Sequence, residues 1–328
     1  MLAAAALLTL ALPGAAAHAA APTCFGTPAT ISGSGTLNGT PGNDVIVGSA
    51  GVDTIDGFGG NDLICGLAGG DSINGGAGND QIDAGPGDDL VRGDVFRTTG
   101  DAVAKRGNDL LLRDGNDRAS GDNVAFNGNA SGAGHDRIEG GAGDDSLAGD
   151  NNSFTGNATG AGNDVINGGP GVDDMRGDSN AATVATGAGN DVLDLGADGG
   201  FFAIGDNNLV TAGGTSASAG NDVIRGGAAG DLLVGDSSAN NSLRAGNDQL
   251  TGRAGADTLF GDNVDFSAST TVGTAGGRDV LSGDAGDDTL RAGPANDFLN
   301  GGRDTDECDG EAGTGDFALA CESVLGVP

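Results

Sequence analysis

Aspartate returns every nine residues near the start of this chain, at Asp44, Asp53, Asp62, Asp71, Asp80 and Asp89. Glycines precede each one, and two positions later comes an aliphatic residue: Ile46, Ile55, Ile64, Ile73, Ile82 or Val91. Gly75-Gly76-Ala77-Gly78-Asn79-Asp80-Gln81-Ile82-Asp83 is the clearest copy of the phrase, written generally as G-G-x-G-x-D-x-U-x with U a large aliphatic residue. Short carboxylates beside backbone carbonyls freed by glycine turns form an all-oxygen donor set. Calcium accepts six to eight such oxygens in flexible geometry, whereas magnesium holds its water and demands a near-octahedral shell. Transition metals would want imidazole or free thiolate, which this repeat does not offer. The donor chemistry therefore points to calcium.

The element that carries these aspartates follows from the same nine residues. Glycine at up to four places in nine removes helix propensity. It also supplies turn geometries that a β-carbon forbids. A turn of six residues followed by a strand of three fits the phrase, with alternating side chains sending the aliphatic residue inward. Two units make one coil with two short parallel strands. Stacking such coils sets like charges roughly 4.8 Å apart. That column repels itself unless a divalent cation lies between adjacent turns.

From Gly93 a longer rhythm begins. Gly-Asp pairs recur at Gly93-Asp94, Gly121-Asp122, Gly149-Asp150, Gly177-Asp178 and Gly205-Asp206, each 28 residues after the last. Looser copies follow at Gly235-Asp236, Gly261-Asp262 and Gly283-Asp284. Each module holds two nonapeptide-like units plus an insertion after Gly-Asp, such as Asn123-Val124-Ala125-Phe126-Asn127-Gly128. The insertions should stack on one edge of the solenoid, either as loops or as a third strand. They carry Phe96, Phe126, Phe154, Phe201, Phe202 and Phe266. The second residue of each Gly-Asp pair reads either as an Asx-turn former or as a ligand of an additional ion.

Composition agrees with a fold that depends on cations. The chain has 328 residues, 67 of them Gly, and 47 acidic against 14 basic residues for a formal charge of -33, with no Trp or Tyr. Such a balance ordinarily means disorder; the periodic glycines and aliphatic slots argue otherwise. Only Glu139, Glu307, Glu311 and Glu322 break the preference for aspartate. Leu2 to Leu12 is an apolar run too short to span a bilayer, and Ala17-His18-Ala19 offers a cleavage site. Residues 1–19 therefore read as a signal peptide, and no other segment is apolar enough to cross a membrane. Cys24, Cys65, Cys308 and Cys321 fit an exported protein. Three pairings are open, and the sequence-local one would clip both ends of the array. The expected organisation is a signal peptide over 1–19, an N-terminal cap over 20–38, regular nonapeptides over 39–92, 28-residue modules over 93–300, and a disulfide-bearing cap over 301–328. Thr305-Asp306-Glu307-Cys308 still keeps the repeat register, with Cys308 in the aliphatic slot.

Catalysis finds little footing. Beyond the leader the chain holds one histidine, His135, and one lysine, Lys105. No zinc-protease helix or phosphate loop can be drawn from them, and an esterase reading of Gly177-Asp178-Ser179 lacks a downstream histidine base. His135 occupies the variable fifth slot and reads as a solvated turn residue. The negative charge opposes nucleic-acid binding. The chain is expected to be a non-enzymatic monomer.

The phrase resembles the haemolysin-type calcium-binding nonapeptide, the RTX repeat of secreted bacterial proteins; copies cover most of residues 39–306. The resemblance implies an all-β fold, a right-handed parallel β-roll or β-helix solenoid with stacked loop insertions, whose turns sandwich calcium ions. It implies carboxylate ligands from the six aspartates already named. Asp136, Asp145, Asp164, Asp173, Asp191, Asp222, Asp231, Asp248, Asp257, Asp279, Asp288 and Asp297 join them. Backbone carbonyls, among them those of Gly39, Gly57, Gly75, Gly76, Gly78, Gly140 and Gly168, would complete the shells. The pattern is interrupted at Val95 to Arg106, Asp114 to Ala119 and Leu195 to Phe202. The function expected is a secreted module that folds on extracellular calcium in a structural or surface-associated role. The alternative is an adhesin whose Phe-bearing insertions bind a cell-surface or matrix component.

Overall fold

The computed structural model describes residues 20–100, 102–103, 109–265 and 267–328. The expected signal peptide, Lys105 and Phe266 lie outside them. Every regular element among the described residues is a strand. No helix there is long and apolar enough to cross a membrane.

Each nonapeptide folds as turn plus strand, and successive strands alternate between two faces. Val45–Ser49 lies on one face, Thr54–Asp56 on the other, and Leu63–Leu67 returns to the first. Repetition builds two parallel sheets of 13 strands each. Ile46, Ile64 and Ile82 align in register on one face, and Ile55 and Ile73 on the other. All five are fully buried, so one aliphatic residue per unit fills the space between the sheets. Gly78 shows why the turn needs glycine: its φ is +140°, and a β-carbon there would collide with the Gly60 carbonyl of the coil before.

Coil length can be read from the stacking. The Asp44 N–H meets Asp62, 18 residues on, while the Asp136 N–H meets Asp164, 28 residues on. The additional residues of the wide coils are neither plain loops nor a single third strand. Five insertions contribute two short strands each, and the next contributes one. One set, from Phe96–Arg97 to Asn208–Leu209, forms a five-stranded parallel sheet; the other, from Ala102–Val103 to Asn241–Ser242, forms a six-stranded one. Small side chains face inward here, as Ala125, Ala130, Ala158 and Ala181 are fully buried. A narrow extension leaves room for little more. Phe126 and Phe154 point outward and pack on each other with ring centroids 5.1 Å apart. By Val280–Ala285 the coil has returned to 18 residues, since the Asp279 N–H meets Asp297.

Both ends are clipped. Cys24 in an antiparallel hairpin (Thr23–Cys24 with Thr27–Pro28) is bonded to Cys65, and Cys308 to Cys321. Cys308 stacks under Leu290 in the aliphatic column and is fully buried. Phe317–Leu319 and Ser323–Leu325 add the last rungs of the two sheets.

Candidate metal centres

The aspartates at slot six are buried, and they form two columns of hydrogen bonds running along the solenoid. In each, the N–H of one aspartate donates to Oδ1 of the aspartate one coil later. Asp62 donates to Asp80 at 2.8 Å, Asp80 to Asp109 at 2.7 Å, and Asp136 to Asp164 at 2.7 Å. The other column repeats this, with Asp71 donating to Asp89 at 2.7 Å and Asp257 to Asp288 at 2.8 Å. Oδ1 is thereby used throughout. Oδ2 is not: at Asp62, Asp71, Asp80, Asp136, Asp164, Asp173, Asp191, Asp222, Asp248, Asp257, Asp279, Asp288 and Asp297 it is buried with no donor. A buried carboxylate oxygen with nothing to bond is costly and rare.

What faces these oxygens is backbone carbonyl. A β-carbon on Gly57 would strike both Asp62 Oδ2 and the Gly75 carbonyl. On Gly140 it would strike Asp145 Oδ2 and the Gly168 carbonyl, the latter at 2.5 Å. Gly75 sits likewise between Asp80 Oδ2 and the Gly93 carbonyl, and Gly66 lies beside Asp71 Oδ2 and the Ala84 carbonyl. The slot-one glycine is required because two oxygens converge where its side chain would be. Two acceptors without a proton between them repel, and a cation of calcium's size and oxygen preference fits that donor set.

The family of the RTX calcium-binding nonapeptide repeat (4 copies) matches this chain at residues 38–73, 66–97, 130–153, 158–184, 216–241, 244–265 and 274–314, together more than half of its length. The chain belongs to the RTX calcium-binding repeat family. No curated protein matches it. The RTX turns and the aspartate columns coincide, because the matched segments contain the paired glycine and carboxylate oxygens just described.

Not every RTX aspartate is alike. Asp44 Oδ2 accepts from Thr40 N–H at 2.7 Å and Thr40 Oγ1 at 2.8 Å, and Asp53 Oδ2 from Ser49 N–H at 2.6 Å and Ser49 Oγ at 3.0 Å. These first-coil carboxylates are satisfied by protein donors. Asp231 Oδ2 accepts from Gly227 N–H at 2.7 Å. At the interruption near Leu195, Gly200 pairs with Asp173, so one column lacks a carboxylate there. A β-carbon on Gly39 would lie 2.6 Å from the Gly57 carbonyl, whereas Gly76 and Gly78 pass against the backbone of Phe58 and Gly60 rather than a carboxylate.

The columns also contain residues that the sequence reading passed over. Asp109, just past one interrupted stretch, and Asp117, within another, continue the two columns, accepting from Asp80 and Asp89. Asp306 and Asp316 extend the far end, accepting from Asp288 at 2.9 Å and Asp297 at 3.0 Å. Their signal was Asp two places before an inward residue, with Leu111, Ala119, Cys308 and Ala318 in that slot. His135 belongs to a further, exposed ladder: its Nδ1 accepts from Asn163 N–H at 2.7 Å, as Asn61 Oδ1 does from Asn79 at 3.0 Å. It is a structural rung rather than a free solvated side chain.

Burial dominates the electrostatics. It pushes Asp62 up to about 6 and Asp80 up to about 7, against a lowering backbone N–H and with added repulsion from the neighbouring aspartate. Arginine opposes this only at Asp231, through Arg253, and at Asp297, through Arg278, among the slot-six aspartates with a described shift. The ion pairs among the described residues are Arg137–Glu139, Arg176–Asp174, Arg253–Asp194 and Arg291–Glu311, and none includes a slot-six aspartate.

Proposed function

We propose that this chain is an exported calcium-binding β-roll whose folding is coupled to calcium, serving as a structural or surface-associated module. One observation carries the reading: repeated buried Oδ2 atoms have no donor and converge on the glycine carbonyl of the next coil. The ligand set is Asp62, Asp71, Asp80, Asp109, Asp136, Asp164, Asp173, Asp191, Asp222, Asp248, Asp257, Asp279, Asp288, Asp297, Asp306 and Asp316. Asp89, Asp117 and Asp145 occupy the same columns. Carbonyls of Gly57, Gly75, Gly93 and Gly168 complete the donor sets. Asp44, Asp53 and Asp231 fall outside this set, since their carboxylates already have protein donors. Bound calcium supplies the positive charge that lets a chain of formal charge -33 become compact. Two disulfides fit an oxidising, extracellular setting. No catalytic role is assigned.

The experiment is a calcium titration of the calcium-stripped full chain, followed by circular dichroism and hydrodynamic radius. A cooperative gain of β signal and a contraction are expected, with extracellular modules typically responding at about 0.1–1 mM. An unchanged spectrum through millimolar calcium would sink the proposal.

A second reading, recognition of an extracellular partner, rests on one feature. A cleft of about 640 Å³ lies between a long sheet and the first insertion sheet, lined by Leu90, Phe96, Arg118, Phe126, Phe154 and Arg176 among others. Exposed aromatic rings beside guanidinium groups suit a glycan or peptide. Phe126→Ala with Phe154→Ala should abolish binding to cells or cell-wall material while leaving the calcium response intact.

A further inference from the structure

The Gly-Asp aspartates of the wide coils are not turn formers at the surface. Asp94, Asp122, Asp150, Asp178, Asp206, Asp236 and Asp262 are all 0% exposed. Asp284, which follows the same dipeptide where the coil has narrowed again, is exposed. An Asx turn would bond the backbone two residues on. Instead Asp122 Oδ2 accepts from Gly134 N–H at 3.1 Å, twelve residues away, and Asp150 Oδ2 from Gly162 N–H at 2.9 Å. These glycines stand just before the slot-six aspartates, so each insertion leaves the column at Gly-Asp and rejoins it beside the same carboxylate. Backbone N–H groups likewise hold a carboxylate oxygen of Asp178, Asp206, Asp236 and Asp262.

We propose that Asp122, Asp136 and Asp150 form a buried site for calcium of a second class, in which the Gly-Asp carboxylates join the slot-six carboxylate of the wide coil. The inference rests on the calcium reading above and adds ligands the nonapeptide does not contain. One carboxylate oxygen from each of the three lies within 4.8 Å of the others. Oxygens on opposite sides of a calcium ion at roughly 2.3–2.6 Å span that distance. Asp150 Oδ1 and Asp136 Oδ2 are fully buried and receive no N–H or O–H. A β-carbon on Gly121 would strike Asp136 Oδ2 and the Gly149 carbonyl, which places a backbone oxygen at the same point.

Charge balance supports a divalent ion. Each wide coil adds one slot-six and one Gly-Asp carboxylate to this column, a charge that one divalent cation per coil neutralises. Asp164 and Asp178 follow Asp136 and Asp150 by 28 residues and so occupy the corresponding sequence register. With more carboxylates than the two-strand turns, these sites should hold calcium more tightly.

The test counts ions. The full chain is refolded in calcium, dialysed to low micromolar free calcium, and its retained metal measured by mass spectrometry. Wild-type protein should retain tightly held ions; Asp122→Asn with Asp150→Asn should lose at least one, and Asp284→Asn, at the exposed Gly-Asp aspartate, should lose none of them. Equal retention in the double variant and wild type overturns the proposal while leaving the turn sites standing. If the double variant does not fold, terbium-exchanged crystals of the wild type decide by anomalous diffraction. A peak among Asp122, Asp136 and Asp150 is expected; peaks confined to the turns of residues 57–92 refute this site alone, and no peak anywhere refutes the calcium reading as well.

Discussion

Stripped of calcium, the protein should become a pH-dependent fold, stable in acid and expanded in mild alkali. Burial raises Asp80 and Asp279 from 3.8 to about 7, opposed by one backbone N–H each and reinforced by a neighbouring aspartate. A carboxylate whose folded pKa lies above its unfolded one contributes stability that is complete below about 4 and is lost as pH climbs through about 7. Roughly three pH units at about 1.36 kcal/mol each make the loss about 4 kcal/mol per group. Two well-separated groups then cost about 8 kcal/mol, comparable with the whole net stability of an ordinary domain, about 5–15 kcal/mol. The columns contain many more. At about pH 8 without calcium the chain should therefore be expanded, and near pH 5 it should regain β structure; calcium should reverse the order and make the fold stable at the higher pH. Circular dichroism and size-exclusion chromatography of calcium-stripped protein across this range read the effect directly. A stripped chain as compact and β-rich at pH 8 as the calcium-loaded one would refute the electrostatic argument.

Four further outcomes are expected. Gly57→Ala should lower the melting temperature and calcium affinity, by about 1–3 kcal/mol for the overpacking, because its β-carbon meets Asp62 Oδ2 and the Gly75 carbonyl. Gly51→Ala, where only Ser49 Oγ lies near at 3.9 Å, should stay within about 0.5 kcal/mol in the same thermal melts. Ile64→Ala should cost about 2–5 kcal/mol in denaturant titrations in calcium, since Ile64 is fully buried between Ile46 and Ile82. Reducing the Cys308–Cys321 bond, which closes a separation of 13 residues, should remove about 3 kcal/mol; it should show as faster hydrogen exchange confined to the last rungs.

Sequence legibility was highest where the period was strict. Ile46 to Val91 declare the inward face because side chains alternate in a strand and only one slot per unit is apolar. Asp109 and Asp117 were harder to see. Their columns continue through stretches where the glycine phrase breaks down, and register there is imposed by the coils above and below. Loop or strand was undecidable for the insertions for a related reason. Strands of two residues have no periodicity of their own and exist only because identical segments stack on either side.

Composition and the nine-residue period determined the parallel solenoid, its aliphatic core and the calcium-type donor set, since each follows from one repeating unit. Only the tertiary structure decided which carboxylates lack a donor. Asp44 and Asp62 occupy the same slot, yet Thr40 satisfies the first while the second faces the Gly75 carbonyl. The Gly-Asp residues are decided the same way, buried in wide coils and exposed at Asp284. A residue's type and spacing fix which atoms it can offer; what meets those atoms depends on the neighbouring coil, which lies 18 to 31 residues away in the chain.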